Sequence, residues 1–570
     1  MAAFECAILN ISFEGIIFVG EMHLSWFRLR FIVVLLLFSI QCSGLVSALP
    51  VNSSAYNADD FFRYEFIVNE EGEAYVKITY VSSLEEGFSW VLVPKFSKWL
   101  NRTVQGRIYR WVTEDTERYT GSQLYFYTAL NFSFTEGPFE MVIEYNFSLA
   151  AMVVETESTY GIFYSPQIGF KPRSEFEAIV VFPERFRAVK DEALAYGSSG
   201  SYRADSRLSN SSHIFFRNIP SNENILRIQI GFRAIDGKAD PITVGSGIFE
   251  FNTVARYREY AQKILDLYNA TYDTLIYIFN TTLDHVTIRF FIPDYYSLTS
   301  IGGYIPFTGG KLGDIYVNIM FTRYVEGYLE IVALHELTHH FLWKSGISPG
   351  SLLWFHEGMA QYVSIKVAEG IGYEGARMVK EDMEKNVENI VQALRGNFGF
   401  LMEWTPSKAP RELGTLYAAA YYVVSKLAEE YGELDYYARL FKLLRNKRVD
   451  DTPALCYYLS LAANESVFDK FNRWGFNLPD IYIYWPLIVE VENSIKRIDP
   501  NNILLQPFRR AAEIIYRAVI SGERIVAERT ELYLLAALFI ARFTPLIALF
   551  TYSSIIFAAL TAALKLKRVF

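Results

Sequence analysis

A short histidine-rich stretch carries the residues best suited to chemistry. His335, Glu336 and His339 form the pattern His-Glu-x-x-His inside an apolar run from Ile331 to Trp343. On an α-helix, residues i and i+4 lie on one face, so the two imidazoles can bind one Zn2+ together. Glu336 lies one residue along and could act as a general base on a water at that metal. The alternative is a core helix whose histidines make ordinary hydrogen bonds.

Histidine is rare in this chain, which makes the pattern specific. Only 7 of the 570 residues are histidine, and both His340 and His356 lie close to the motif. A catalytic zinc needs three protein ligands and one open position, so a third ligand is required. Two candidates lie in the segment Leu353 to Tyr362: Glu357, on a predicted second helix, and the neighbouring His356.

The two motifs together resemble those of the gluzincin zinc metallopeptidases, the thermolysin-like and aminopeptidase-N-like enzymes. The resemblance rests on His-Glu-x-x-His followed by a Trp-x-x-Glu-Gly-x-Ala pattern that begins at Trp354. It implies one Zn2+ per chain, held by His335, His339 and Glu357. The family usually has asparagine before the ligand glutamate, and His356 stands there in this chain, so His356 remains a rival ligand.

The resemblance covers about residues 285–430 and implies one further catalytic residue. Tyr417 matches a family tyrosine that opens a helix and donates to the oxyanion of the tetrahedral intermediate. Ala420 stands where the family has glycine, and Tyr421, one turn further on, is the substitute donor. The competing interpretation is an aromatic core helix, since the chain contains 39 tyrosines.

The segment before the zinc helix is expected to bind substrate. The resemblance implies that the predicted strand Ile315–Met320 is a sheet edge on which an extended peptide lies. The loop Ser300–Gly310 is rich in glycine, and Gly302 and Gly303 are predicted to contact the substrate. Aminopeptidases of the family bind the substrate's α-amine through a glutamate near here. Asp314 is the only acid in this loop and strand, so endopeptidase action is favoured over aminopeptidase action.

The region that must position this site is predicted to be mostly helical. Residues 236–480 are assigned to an α+β, thermolysin-like zinc peptidase domain. Phe249–Phe279 is typical of one or two amphipathic helices, and helices are expected again from Ser351 to Trp474. An apolar strand is predicted at Val286–Ile292.

A β-rich exterior domain is predicted at residues 49–235. Phe62–Val68 shows period-two alternation, ended by the turn cluster Asn69–Gly72, and similar runs recur. Many strands without a long helical pattern favour an all-β sandwich or saddle. Asn-x-Ser/Thr sequons suit a glycoprotein; between the two apolar ends they lie at Asn52, Asn101, Asn131, Asn146, Asn210, Asn269, Asn280 and Asn464, and one more, at Asn10, lies before Met22.

The amino end is typical of a secretory signal peptide, residues 1–48. Arg28 and Arg30 precede an apolar segment, Phe31–Ile40, and Val46–Ala48 resembles a cleavage site. Ten apolar residues are too few to span a bilayer. The true start could be Met22, and the alternative is an uncleaved anchor.

The carboxyl end is predicted to cross a membrane once. Residues 481–542 form a helical juxtamembrane segment, broken near Ser521–Gly522. Phe543–Leu564 then carries no charge and is long enough to span the hydrocarbon core. The tail, residues 565–570, is basic and therefore predicted to be cytoplasmic. A buried core helix is the alternative.

Composition limits the class of protein. The chain has 51% hydrophobic residues and a net charge of −9, which argues against nucleic-acid binding. Its cysteines are Cys6, Cys42 and Cys456, so a chain without its signal peptide would retain only Cys456 and form no internal disulfide.

Taken together, the sequence predicts a multidomain protein: an all-β domain, a zinc peptidase domain and one transmembrane helix. The predicted function is an outward-facing, membrane-anchored metallopeptidase acting on peptides or proteins, with membrane lipid as its other partner. The alternative is a peptidase-like binding protein that has lost catalysis. The intact Glu336 favours the enzyme, because a binding protein has no need of the base.

Overall fold

The structure is a computed structural model, and it describes residues 60–567 except 96, 122, 123, 125, 156–159, 218, 236–239, 294–300, 309, 310, 324–326 and 523–528. The predicted signal peptide and Met22 lie outside the described residues. Contacts between Cα atoms divide the chain into two units. Among the described residues, those from 60 to 235 together with 306–308 and 311 are termed the β unit, and those within 240–305 and 312–567 the helical unit.

Two sheets make up the described part of the β unit between residues 60 and 235. Its elements are β1 (Asp60–Val68), β2 (Ala74–Ser82), β3 (Gly87–Pro94), β4 (Trp99–Glu114), the one-turn helix α1 (Glu117–Thr120), β5 (Tyr127–Phe147), β6 (Ala151–Glu155), β7 (Tyr160–Tyr164), β8 (Ile168–Gly169), β9 (Glu175–Val181), β10 (Phe186–Gly197), β11 (Ser201–Arg203), β12 (His213–Phe216) and β13 (Ile225–Ala234). The first sheet has the order β12-β9-β1-β2-β5-β3, with β4 also paired to β5, and the second has the order β11-β10-β13-β7-β6, with β8 on β13.

The alternating side chains of these strands form an aromatic core. On β1, Phe62, Tyr64 and Phe66 are buried. Phe66 contacts Phe163 of β7 with ring centroids 5.9 Å apart, which joins the two sheets through their inner side chains. The predicted β-rich amino-terminal region is therefore confirmed, because period-two burial makes one face of each strand apolar.

A five-stranded sheet opens the helical unit. The next elements are β14 (Pro241–Ser246), β15 (Phe249–Val254), α2 (Arg258–Phe279), β16 (Val286–Phe291), β17 (Gly303–Tyr304), β18 (Phe307–Thr308), β19 (Lys311–Leu312) and β20 (Ile315–Asn318). Their order in the sheet is β14-β15-β16-β20-β17. Strands β18 and β19 pair with each other, and Phe307, Thr308 and Lys311 of this pair are grouped with the β unit. Strand β20 runs parallel to β16, and β17 pairs antiparallel with its other side.

Two predictions for this sheet were wrong. The helix expected from Phe249 begins at Arg258, because buried Phe249 and Phe251 alternate with outward residues and pair with β14. The strand expected to be the sheet edge, β20, is an inner strand, because Gly303 and Tyr304 add β17 beside it. Among the described strands, the edge on this side is therefore β17.

The remaining described part of the helical unit is mostly helical, as predicted. Its helices are α3 (Tyr328–Lys344), α4 (Leu353–Gly370), α5 (Glu374–Leu394), α6 (Leu413–Tyr431), α7 (Glu433–Leu443), α8 (Thr452–Ala463), α9 (Phe468–Arg473), α10 (Trp485–Lys496), α11 (Gln506–Ile520) and α12 (Thr530–Lys567). Helix α3 follows Gly327, whose φ of 82° suits glycine, and nearly all of its residues are buried. The break predicted near Ser521–Gly522 is confirmed, because α11 ends at Ile520.

Helix α12 is the one described helix long and apolar enough to cross a membrane, over Thr530–Leu564. Its first part packs against α10 and α11. The side chains it buries there recur three or four residues apart: Leu534, Ala537, Ala541, Thr544 and Ala548. Beyond Ala548 nearly every side chain up to Leu564 is exposed, so this part of the apolar helix has no protein cover among the described residues.

Candidate metal centre

Helix α3 brings the two histidines of the motif together. His335 and His339 are one turn apart, so both rings leave the same face of the helix. Their Nε2 atoms lie 3.2 Å apart, and both side chains are buried. Burial lowers the pKa of His335, and the neighbouring carboxylate of Glu357 opposes this without overcoming it.

Helix α4 supplies the third member of the group. Glu357 is fully buried, and its Oε2 lies 3.2 Å from His335 Nε2 and 3.5 Å from His339 Nε2. Burial raises the pKa of this carboxyl, but the His339 and His335 imidazoles outweigh burial and hold it well below its usual range. For His339, burial lowers the pKa, but Glu357 outweighs it and the net shift is upward.

These three side chains could hold a metal ion. One ligand atom from each lies within 4.8 Å of the others. Zinc bonds of about 2.0–2.1 Å in tetrahedral geometry separate ligand atoms by roughly 3.3 Å, which matches the observed spacings. Glu357 Oε1 is buried and has no hydrogen-bond partner among the described residues. This is expected of a carboxylate oxygen whose partner is a metal ion. The donor set of two imidazoles and one carboxylate therefore fits zinc.

His356 lies behind the group and is not one of its members. Its Nδ1 is 2.9 Å from His339 Nδ1, and its Nε2 is 3.2 Å from the Ile347 carbonyl oxygen. Burial lowers the pKa of His356 to about 3, so the ring is neutral. Nε2–H then donates to Ile347, which leaves Nδ1 to accept from His339 Nδ1–H. This arrangement directs the lone pair of His339 Nε2 towards the group.

Gln361 gives the other histidine a partner, and sequence reasoning missed it. It lies one turn after Glu357 on α4, is buried, and hydrogen-bonds the His335 side chain. The i+4 spacing from Glu357 was the available signal, because both side chains must face α3 together.

Glu336 is buried beside the group without being a member of it. A Cβ built on Gly303 would lie 2.8 Å from the Glu336 Oε1 and Cγ atoms, so strand β17 passes directly over this carboxylate. A Cβ built on Gly302 would likewise lie 3.1 Å from Val332 Cγ1. Both glycines predicted to bind substrate therefore lie against α3, and Gly303 lies against the candidate base.

Asp314 and His340 lie outside the group. Asp314 Oδ2 accepts from Arg289 Nε at 2.9 Å, an ion pair between neighbouring strands of the sheet. Burial, with a smaller effect from His339, lowers the pKa of His340 to about 4. Asp314, predicted to bind substrate and the only acid between Ser300 and Thr322 that could pair with an α-amine, therefore already has a cationic partner.

Helix α6 carries both candidate oxyanion donors, and they face different neighbours. Tyr417 packs against Trp404 with ring centroids 5.2 Å apart. Tyr421 lies 6.3 Å from the Tyr362 ring, and burial raises its pKa. The role of Tyr417 as an oxyanion donor stays a prediction.

One close helix crossing brings α6 to the metal group. A Cβ on Gly358 would lie 2.7 Å from the carbonyl oxygen of Ala420. Gly358 follows Glu357 directly, so glycine lets the α6 backbone approach the ligand helix where larger residues would clash.

Comparison with known proteins adds no assignment. Neither a protein-family description nor any curated protein sequence matches this chain.

Proposed function

We propose that this chain is a zinc-dependent metallopeptidase that hydrolyses peptide bonds. One observation carries the proposal: the buried His335, His339 and Glu357 group lies beside a second buried carboxylate, Glu336, that belongs to no ligand set. Two His and one Glu is a known catalytic zinc set, and a carboxylate next to it is suited to proton transfer.

The chain's own residues divide the chemistry between them. Zinc, when bound, would supply Lewis acidity and lower the pKa of a water towards neutrality. Glu336 would take a proton from the attacking water and pass it to the leaving amine. Tyr417 would donate a hydrogen bond to the developing oxyanion. Strand β17, at the end of the sheet, offers backbone groups to an extended substrate next to Glu336.

Endopeptidase action is the proposed mode. An aminopeptidase must bind a free α-ammonium, and burying that charge without a partner is costly. The only acid between Ser300 and Thr322, Asp314, pairs with Arg289. A peptide that continues past β17 in both directions needs no such acid.

The proposed setting is a membrane surface, with the catalytic body exterior and α12 as the single span. The support is the length and apolar composition of Thr530–Leu564, followed by the basic residues Lys565, Lys567 and Arg568.

The test compares the full-length protein with Glu336→Gln for zinc content and for hydrolysis of a peptide library. Removing the base should lower activity by about 10²–10⁴-fold while zinc is retained, because the amide keeps the size of the side chain. Glu369→Gln, in α4, changes a partly exposed carboxylate paired with Lys380 and should keep both properties.

Two results contradict the proposal in different ways. Full activity of zinc-loaded Glu336→Gln would exclude Glu336 as the base. Zinc binding by the unaltered protein without hydrolysis of any library peptide would favour a peptidase-like binding protein.

A further inference from the structure

A second candidate site lies between α10 and α12, apart from the metal group. The cavity there has a volume of about 590 Å³, within the usual range of small-molecule sites. Its lining includes six polar residues that bear on the argument: Glu490, Asn493, Arg497, Asp499, Arg542 and Thr544. None of them belongs to the metal group.

The charged side chains that line the cavity sum to no net charge, and they are accessible to a ligand. Arg497 and Arg542 face it together with Glu490 and Asp499, so two cationic and two anionic groups cancel. The Arg542–Glu490 pair is 3.7 Å apart, and both side chains are more than half exposed, so water screens it strongly. Arg497 is exposed, and no ion pair is described for it among the residues that the structure covers.

The loop from α10 to α11 indicates where a bilayer surface would lie. Tyr552 Oη of α12 donates to the Leu504 carbonyl oxygen at 3.0 Å, and its ring contacts Phe508. At the tip of this loop, Ile503 is 83% exposed and Leu504 58% exposed. These two exposed apolar side chains lie beside the exposed part of α12. They are suited to insertion at the boundary between the headgroups and the acyl chains of the outer leaflet.

The cavity would then lie in the headgroup layer. It contacts α12 near Thr544, about two turns before Tyr552. At about 1.5 Å per residue this separation is roughly 12 Å along the helix. Interfacial elements insert roughly 5–10 Å into the boundary between headgroups and acyl chains, so the cavity lies at headgroup depth when Ile503 and Leu504 are inserted.

We propose that this cavity binds the headgroup of a zwitterionic phospholipid. Arg497 and Arg542 are suited to the phosphodiester, since guanidinium groups bind phosphate through paired hydrogen bonds. Glu490 and Asp499 balance the ammonium group. The proposal is independent of the metal centre and of the peptidase function, and it rests on the proposed membrane span of α12.

A lipid fits better than free phosphate, although both present the same anion. On α12, Phe543 and Leu546 adjoin the lining residues Arg542, Thr544 and Pro545 in sequence and are 41% and 52% exposed, and Phe550, about one turn further on, is 70% exposed. Acyl chains attached to a headgroup in the cavity could cover these side chains, whereas inorganic phosphate would leave them uncovered.

The experiment uses the full-length protein in a detergent without phosphate groups. Short-chain phosphatidylcholine, short-chain phosphatidylglycerol and inorganic phosphate are titrated separately, and binding is measured by calorimetry. Phosphatidylcholine should bind most tightly. Arg497→Gln should weaken it about tenfold, the usual effect of losing one charge-assisted hydrogen bond. Arg497→Lys, which keeps the charge, should fall between.

Arg517→Gln is the matched control, because Arg517 is an exposed arginine in the last turn of α11 that is not part of the cavity lining. It should bind phosphatidylcholine as the unaltered protein does. Equal binding by Arg497→Gln and the unaltered protein would overturn the site. Tighter binding of phosphatidylglycerol or of inorganic phosphate would overturn the ligand class.

Discussion

Glu357 is the residue on which the candidate metal centre depends most. It is a fully buried carboxylate whose Oε1 lacks a hydrogen-bond partner among the described residues. An ionised carboxylate is expensive to bury, and here the imidazoles of His335 and His339 are its charge partners. Metal binding would satisfy the carboxylate and both imidazoles at once.

The zinc content of two variants should distinguish a metal ligand, Glu357, from a residue that only supports a ligand, His356. Glu357→Ala should lose stoichiometric zinc, because two imidazoles alone make a weak site. His356→Ala should weaken zinc binding by about 10–100-fold, because His356 acts only through His339. Metal analysis after dialysis against a graded chelator measures both, with the exposed His285→Ala as control. Normal zinc in Glu357→Ala with none in His356→Ala would reverse the assignment.

Zinc affinity should fall as pH falls from about 8 to about 6, since ligand imidazoles must be deprotonated. The pKa of His339 is raised above its ordinary 6.5, so a proton competes with zinc already above that value.

The folding stability of the zinc-free protein should change in the opposite direction and increase as pH falls. A raised histidine pKa adds stability that is present below pH 6.5 and lost as pH rises through the raised value. Zinc competition assays measure the pH dependence of zinc affinity, and thermal melts of the zinc-free protein measure the pH dependence of its stability. A zinc affinity that does not change with pH would contradict the first prediction.

At the residue scale, sequence could predict the group because its members lie in two short motifs. His335 and His339 follow from helical spacing alone, whereas Glu357 needed the resemblance to choose it over His356. The supporting roles of His356 and Gln361 could not be predicted, since each depends on which ring atom faces which neighbour after α3 and α4 have packed.

The crossing of α4 and α6 is a helix contact sensitive to the addition of a single methyl group. Gly358→Ala would place Cβ 2.7 Å from the Ala420 carbonyl oxygen and 2.9 Å from Val424 Cγ2. The two helices would have to separate, so we expect a loss of about 1–3 kcal/mol in the free energy of unfolding.

Gly414→Ala provides the matched control for this crossing. Gly414 lies in α6 with nothing within 4 Å of its Cβ position, so alanine should stabilise by about 0.5–1 kcal/mol. Denaturant titration measures both variants. Similar effects at the two positions would mean that the crossing is loosely packed.

The edge position of β17 carries the prediction about substrate termini. One peptide series is compared with free and with acetylated amino ends. Both forms should be cleaved at similar rates, since a strand added to β17 uses its backbone and Asp314 is paired with Arg289. Cleavage of only the free-amine series, abolished by Asp314→Asn, would make Asp314 the amine anchor and the enzyme an aminopeptidase.

At the element scale, long periodic segments were predictable and short ones were not. The strand β16 and the helices from α4 to α9 follow from apolar periodicity. The aromatic run of β15 is predicted to be helical because it joins the amphipathic helix α2 without a turn signal. Strand β17 is two residues long and carries no pattern, so only the folded sheet reveals that it covers β20.

At the scale of the whole molecule, the topology prediction concerns which side of a membrane each end occupies. Residues 49–530 should be outside and residues 565–570 inside, because basic residues follow the apolar helix. Protease added to intact cells should degrade the body and spare a carboxyl-terminal tag. Loss of the tag in intact cells would reverse the orientation.

The continuity of α12 limits how far a body anchored by this helix can move relative to a membrane. The helix runs unbroken from Thr530 to Lys567, and its first part packs against α10 and α11. A flexible linker of n residues would let an anchored body explore roughly 5–6 Å × √n. A packed helix allows no such excursion. If α12 crosses a bilayer, the helical unit is held at one height above it, so a bond's distance from the membrane, as much as its sequence, would decide whether it is cut.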